Sequence, residues 1–208
     1  MGKKLLESLD QLLKNRGYLA MRGQVVDASI ISAPRQHMTK EEKEQIKTAH
    51  IPEGWKDKHA KLAQKDRDAR WIVKYSKSKG SENLVDIAIP FFGYKNHIST
   101  DICYEFIRNT YVTNASCYDG KVLKQILDKN NTTRLIWGDP AYRSAENGQF
   151  LGEHGFQSQL HRKKQKGKPV PASTRQGNKA KSKIRAKVEH VFAVQNEQTQ
   201  YLHQRWRY

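Results

Sequence analysis

Asp27 in "GQVVDASIIS", Asp139 in "TRLIWGDPAYRS" and Glu189 in "SKIRAKVEHVF" are carboxylates in settings that ordinarily favour other residues. Asp27 interrupts a short apolar, β-branched run that reads as a buried strand. Burying an unpaired carboxylate is costly, so Asp27 stands at the strand's end, has a partner or binds a metal. Asp139 stands at the C-terminal end of another buried strand, in a Gly-Asp-Pro turn. Glu189 is the one acid among Arg185, Lys187 and His190 on a basic helix. Being four residues from Arg185, it could form with it a surface ion pair worth about 0.3–0.5 kcal/mol. Two acids ending adjacent strands and a third on a late helix would also suit two Mg²⁺ or Mn²⁺ ions. These hard cations take carboxylate oxygens and keep positions open for a substrate phosphate and water.

The elements that must position these acids can be read along the chain. Leu5, Leu6, Leu9, Leu12 and Leu13 recur at helical spacing before Gly17, so residues 1–20 form an amphipathic helix leading into the main domain. The strand carrying Asp27 follows. A charged, partly irregular insertion then covers about residues 34–80, with Thr39 and Glu42 as a capping box; Asp66 and Asp68 read as a solvated turn, the alternative being further acids near a site. "NLVDIAIPFF", "YKNHISTDICYE" and "FIRNTYVTNAS" read as successive antiparallel strands, the first two divided at Gly93. "YDGKVLKQILDKN" puts Val122, Leu123, Ile126 and Leu127 on one helical face. The strand to Asp139, a short helix ending near Gly155, and a strand "FQSQLHRKK" entering a basic loop of Lys163, Lys164, Lys166 and Lys168 come next. The closing helix presents Ile184, Val188, Val191 and Phe192 as its apolar face, with Arg185 and Glu189 beside it. This order predicts an α/β fold: a mixed sheet flanked by helices, compatible with a ribonuclease H-like architecture.

The 208 residues carry 38 Lys and Arg against 21 Asp and Glu, a net charge of +17. Self-repulsion on that scale is relieved by a polyanion, which makes nucleic acid the leading partner class. No apolar run approaches membrane-spanning length. The start, "MGKKLLESLDQLLKNRGYLA", lacks the uninterrupted apolar core and small-residue cleavage site of a signal peptide. Cys103 and Cys117 have neither CxxC nor zinc-ligand spacing. The expected compartment is the cytoplasm.

"VVDASIISAPRQ", "DARW", "FGYKNHIS", "WGDPAYRSAE", "HRK" and "SKIRAKVEHVFAVQ" together resemble the catalytic region of IS5-family bacterial insertion-sequence transposases, in order and in spacing, from about Leu5 to Gln195. The resemblance implies a ribonuclease H-like DDE domain over residues 21–196, with Asp27, Asp139 and Glu189 as catalytic residues and ligands of two Mg²⁺ or Mn²⁺ ions. It implies phosphodiester cleavage at element ends and strand transfer into target DNA. The partner would be double-stranded DNA, with a homodimer across paired ends and a nucleoid location when bound. Arg185 matches the Arg of the family's Tyr/Arg/Glu/Lys signature, where it would contact DNA phosphate, with Lys187 and His190 as neighbours on the same helix. Ser182 stands at the signature's Tyr position and Asn196 where Lys is usual. Lys95, His97, Tyr142, Arg143, His161, Arg162 and Lys163 are candidates for DNA contact or active-site support. Residues 197–208 form an unaligned basic-aromatic tail, and the chain reads as a fragment, a frameshifted or decayed copy, or one of two reading frames. A non-catalytic DNA-binding remnant is the alternative function, and an RNA-directed nuclease of similar fold a more distant one.

Overall fold

The computed structural model describes residues 2–76, 87–164 and 167–205, with the side chains from 198 onward left aside. Lys166, residues 77–80 of the expected insertion, residues 83–86 of the expected strand, and most of the tail's side chains lie outside the described residues.

Four β-branched residues, Val25, Val26, Ile30 and Ile31, favour the extended chain of β1 (Gln24–Ser32), the strand that organises the sheet. Its partner β5 (Leu135–Gly138) lies parallel, in the register Gln24↔Ile136, Val25↔Trp137 and Val26↔Gly138. β6 (Gln157–Ser158) runs parallel to β5. β2 (Arg70–Ser76) is antiparallel to the first half of β3 (Ile87–Asp101). The strand order is β2-β3-β1-β5-β6, and β4 (Ile107–Asn114) also pairs with β3. This is a mixed six-stranded sheet flanked by helices, the architecture expected of a ribonuclease H-like fold.

The chain divides into two compact units. The first gathers the described parts of Met1–Ser29, Asn96–Val112 and Tyr118–Tyr208. Successive strand residues point to opposite sheet faces, so Val25 and Trp137 share one face with the positions two residues on, Asp27 and Asp139. On that face Val25, Trp137 and Ile98 pack with Val188 of the helix α7 (Ala172–Arg205), joined by Ile184, Val191 and Phe192. The apolar stripe of α7 therefore does what its spacing predicts. On the other face Gly138 leaves room for a close convergence: a Cβ there would stand 2.9 Å from Val26, 3.0 Å from Leu160 and 3.2 Å from Tyr142.

The opening helix α1 (Gly2–Asn15) forms as its periodicity predicts, but Leu5, Leu9 and Leu12 are exposed. Leu6 and Leu13 are half-buried, and between them Asp10 supplies a polar anchor. Asp10 accepts from Arg108 Nη1 at 2.9 Å, and Arg108 in turn holds Asp101 at 2.8 Å and the Tyr18 carbonyl at 3.0 Å. The expected helix from 118 to 130 is reduced to a 3₁₀ turn (Asp119–Val122) and the one-turn α5 (Leu123–Ile126). Leu127 turns extended where the helix stops, and Gln24 binds both the N–H and the C=O of the next residue, Asp128, at 2.9 Å, where a continuing helix would need them. The predicted apolar face, Val122, Leu123, Ile126 and Leu127, is buried nonetheless.

The second unit, Ile30–Lys95 with Thr113–Cys117, contains most of the charged insertion. It is more ordered than its composition suggests. Thr39 and Glu42 make the expected capping box at the start of α2 (Lys40–Lys47), and Glu42 also accepts from the buried Trp55 indole at 2.6 Å. Trp55 lies in the short helix α3 (Glu53–Lys56), which leads into α4 (His59–Gln64). Asp66 is a turn-builder: it accepts from the main chain of Asp68 and Ala69 at 2.9 Å and from Tyr94 Oη at 2.6 Å. "DARW", assigned to the insertion by sequence, opens β2. Gly93 does not divide two strands. It takes φ +152° so that β3 continues while the main chain of Ile31 to Ala33 lies where a Cβ would stand.

Candidate active site

Asp27 lies within β1 and not at its end, but one residue beyond the last position paired with β5. Asp139 occupies the matching place on β5, where the strand gives way to a 3₁₀ turn (Pro140–Tyr142). Parallel register and face parity thus bring the two carboxylates together on the side covered by α7. Asp139 Oδ1 accepts from the Ala141 amide at 2.7 Å, capping the turn, and its other oxygen has no hydrogen bond among the described residues. Asp27 Oδ1 accepts from its neighbour Ala28 at 2.9 Å, and Oδ2 faces Arg185 Nε at 3.2 Å. Burial pushes the Asp27 carboxyl above the ordinary aspartate value, and the negative charge of Asp139 adds to that. Arg185 and the Ala28 amide pull the other way without cancelling it.

Arg185 therefore pairs with Asp27, not with Glu189 as the surface-pair reading had it. Glu189, one turn further along α7, is exposed and among the described residues has no ion-pair partner. Among the described residues no three His, Cys, Asp or Glu side chains are grouped closely enough to hold a metal ion. The donor set that does fit a divalent cation is the aspartate pair: hard oxygens, one of them unclaimed, in a place where a further positive charge would relieve Asp27.

Around this pair, Tyr142 is fully buried and its hydroxyl has no hydrogen-bond partner. Burial, with the carboxylates of Asp27, Asp119 and Asp139, raises its pKa well above the usual phenol value. His161 continues the β6 ladder by donating its amide to the Gly138 carbonyl at 3.1 Å, and its ring Nε2 lies 3.4 Å from Ser182 Oγ. Burial and the nearby Arg185 lower its pKa below the ordinary imidazole value. Ser182, at the signature's Tyr position, thus contacts the His of "HRK". His97 is also fully buried, and Lys95 donates to the Cys117 carbonyl at 2.6 Å within the second unit. Lys187 is held by the Ile102 carbonyl at 3.0 Å and Glu105 at 2.9 Å. Arg143, Arg162, Lys163 and His190 are exposed, Lys163 lying 3.3 Å from Tyr118 Oη. Buried Tyr142 and His97 have the placement of supporting residues, and the exposed cations that of ligand contacts.

Two residues outside the sequence-derived set matter here. Asn178 brackets the main chain of Arg162, accepting from its N–H at 3.0 Å and donating to its carbonyl at 3.1 Å. Lys181 reaches the Leu160 carbonyl at 3.3 Å. Both precede Ser182 on α7 in "GNKAKSKIRAK", where a run of lysines gives no sign of which one turns inward.

No described helix is long and apolar enough to cross a membrane. No solved structure shows significant similarity to the chain. In the curated proteins it is similar to the transposase for insertion sequence element IS1106 of Neisseria meningitidis serogroup B, 30% identical over 211 aligned residues. The alignment covers 99% of this chain and 62% of that transposase. The family model for the transposase DDE domain matches residues 18–208, the stretch in which strand register brings the two aspartates together. On that match this chain belongs to the transposase DDE domain family.

Proposed function

We propose that this chain is the catalytic core of an insertion-sequence transposase, cutting DNA phosphodiesters at element ends and transferring the freed 3′-hydroxyl into target DNA. The observation that carries the reading is the placement of Asp27 and Asp139 at matching positions of two parallel strands, on the face packed by α7, with the charge of Asp27 under-neutralised. Asp27 and Asp139, joined by Glu189 from α7, would hold Mg²⁺ or Mn²⁺. When bound, two such ions supply a water of lowered pKa and charge stabilisation for the leaving 3′-oxygen. Arg185 restrains Asp27 and offers its remaining N–H groups to a phosphate. Tyr142 and His97 support the strands from within. Exposed Arg143, Arg162, Lys163 and His190 steer and position the DNA backbone, and a second copy of the chain engages the paired end.

The test is cleavage of a labelled duplex carrying an element end, in Mg²⁺, Mn²⁺ or EDTA. Asp139→Asn should abolish metal-dependent product, a loss of at least about 10³-fold if the site works as a unit, with DNA binding retained. Cutting at the wild-type rate by this variant would remove the proposal. The exposed position of Glu189 and the Asn at 196 favour one second reading, a DNA-binding remnant without catalysis. Salt-sensitive binding with no product under any metal would establish it.

A further inference from the structure

Beside the acidic pair, in the same unit, is a small pocket of about 240 Å³. Arg143, Arg162 and Lys181 line it with the hydroxyl-bearing Ser144 and Ser158. The backbone explains how these cations meet. Ser158, Leu160 and Arg162, alternate residues of one stretch, line the pocket, while His161 between the last two does not and feels the charges of Arg185 and Asp139. Asn178 fixes the main chain at Arg162 from both sides. Arg143 leaves the turn that buries Tyr142, and Lys181 comes in from α7.

The charges are unbalanced. Among the described residues no carboxylate pairs with Arg143, Arg162 or Lys181. Burial, and then the positive charges of Arg162 and Arg143, lower the pKa of Lys181. The like charges thus repel one another across a bounded space, which costs free energy unless an anion fills it. Ser144 caps α6 (Ala145–Glu153) by accepting from the Asn147 amide at 3.1 Å, so its O–H remains to donate into the pocket. Guanidinium forks and hydroxyl donors arranged around a concavity match the oxygens of a tetrahedral phosphate.

We propose that this pocket seats one backbone phosphate of the bound DNA strand, at a point distinct from the phosphodiester presented to Asp27 and Asp139. The three cations act on a single phosphate and so fix the register of the strand against the acidic site. The proposal rests on the DNA-processing reading above and adds Lys181 to it as a DNA-binding residue.

The count of phosphates tests it. Binding of the full chain to a labelled duplex is measured over a range of salt concentrations for wild type, Lys181→Gln, Arg143→Gln, Arg162→Gln and the triple variant. Loss of one phosphate contact lowers the slope of log K against log salt by about 0.9. The expected result is that each single variant weakens binding while the triple variant lowers the slope by about 0.9 in total, with Lys181→Arg restoring the wild-type value. Three independent contacts would lower it by about 2.7, and that result would overturn the single seat. A duplex with one methylphosphonate at the seated position should bind wild type and triple variant equally. Inorganic phosphate that competes with wild type but leaves the variants' DNA slope unchanged would show a free-anion site and overturn the DNA assignment. Normal wild-type binding with unchanged variants would overturn the pocket alone, whereas no DNA binding by wild type would overturn the functional reading with it. Arg143 and Arg162 are exposed, so their variants keep the test valid if Lys181→Gln fails to fold.

Discussion

Two groups of charge in the same unit are handled in opposite ways. Arg108 and Asp101 have side chains only 1% and 0% exposed, and their partners are closely satisfied. Asp101 takes Arg108 on one oxygen and the Tyr104 amide at 2.7 Å on the other, while Arg108 also holds Asp10 and the Tyr18 carbonyl. Asp27, Asp139 and Arg185 lie nearer the surface, with 14% and 27% exposure for Asp27 and Arg185; Asp27 has the Ala28 amide and a single Arg185 contact at 3.2 Å, and Asp139 one main-chain amide. The first group ties α1 to the sheet and has nothing left to offer a ligand. The second keeps the charge of Asp27 where burial disfavours it and leaves one oxygen of Asp139 unclaimed among the described residues. The two groups thus differ in how completely each charge is compensated, and the less compensated one is the proposed site.

Breaking the compensated group should have the larger effect. Arg108→Ala leaves Asp101 buried without its cation, a loss of about 3–5 kcal/mol. For a chain of this size that corresponds to a melting midpoint lower by about 6–20 °C, read by circular dichroism. A midpoint within a degree or so of wild type would mean that the network is not structural and the contrast fails.

At the under-compensated group the effect should be smaller and of opposite sign. The native pKa of Asp27 is raised, so the native state binds more protons than the unfolded chain between the two values, and stability falls as pH rises through that interval. Asp27→Asn removes this penalty. Its midpoint should lie above that of wild type at neutral pH, and the two should converge below the unfolded aspartate value of about 3.9. A variant less stable than wild type at every pH would show that the Arg185 pair outweighs the burial of Asp27.

Much of this was legible in the residues. The apolar stripe of α7, the capping box at Thr39 and the strand leading to Asp139 follow from local spacing, because tertiary contacts reinforce what propensity and periodicity already favour. Other features depend on partners remote in sequence. Gln24 grips Asp128 where α5 stops, Gly93 yields to the chain at Ile31 so that β3 continues, and Arg108 holds the polar anchor of α1. At the site, the two aspartates were legible as acids within apolar strands. That Arg185 turns to Asp27 instead of Glu189 was not, because helical spacing fixes which residues share a face but not what lies across from it. Lys181 was hidden for the same reason among identical lysines.

The most direct test of the central claim, that the aspartate pair is held ready for a divalent cation, is the melting midpoint of the full chain with and without saturating Mn²⁺, for wild type, Asp27→Asn and Asp139→Asn. A cation that binds the native site at about 100 times its dissociation constant stabilises by about 2.7 kcal/mol. The account predicts a rise of several degrees in wild type that both variants lose. An equal rise in all three proteins, or none in wild type, would contradict it.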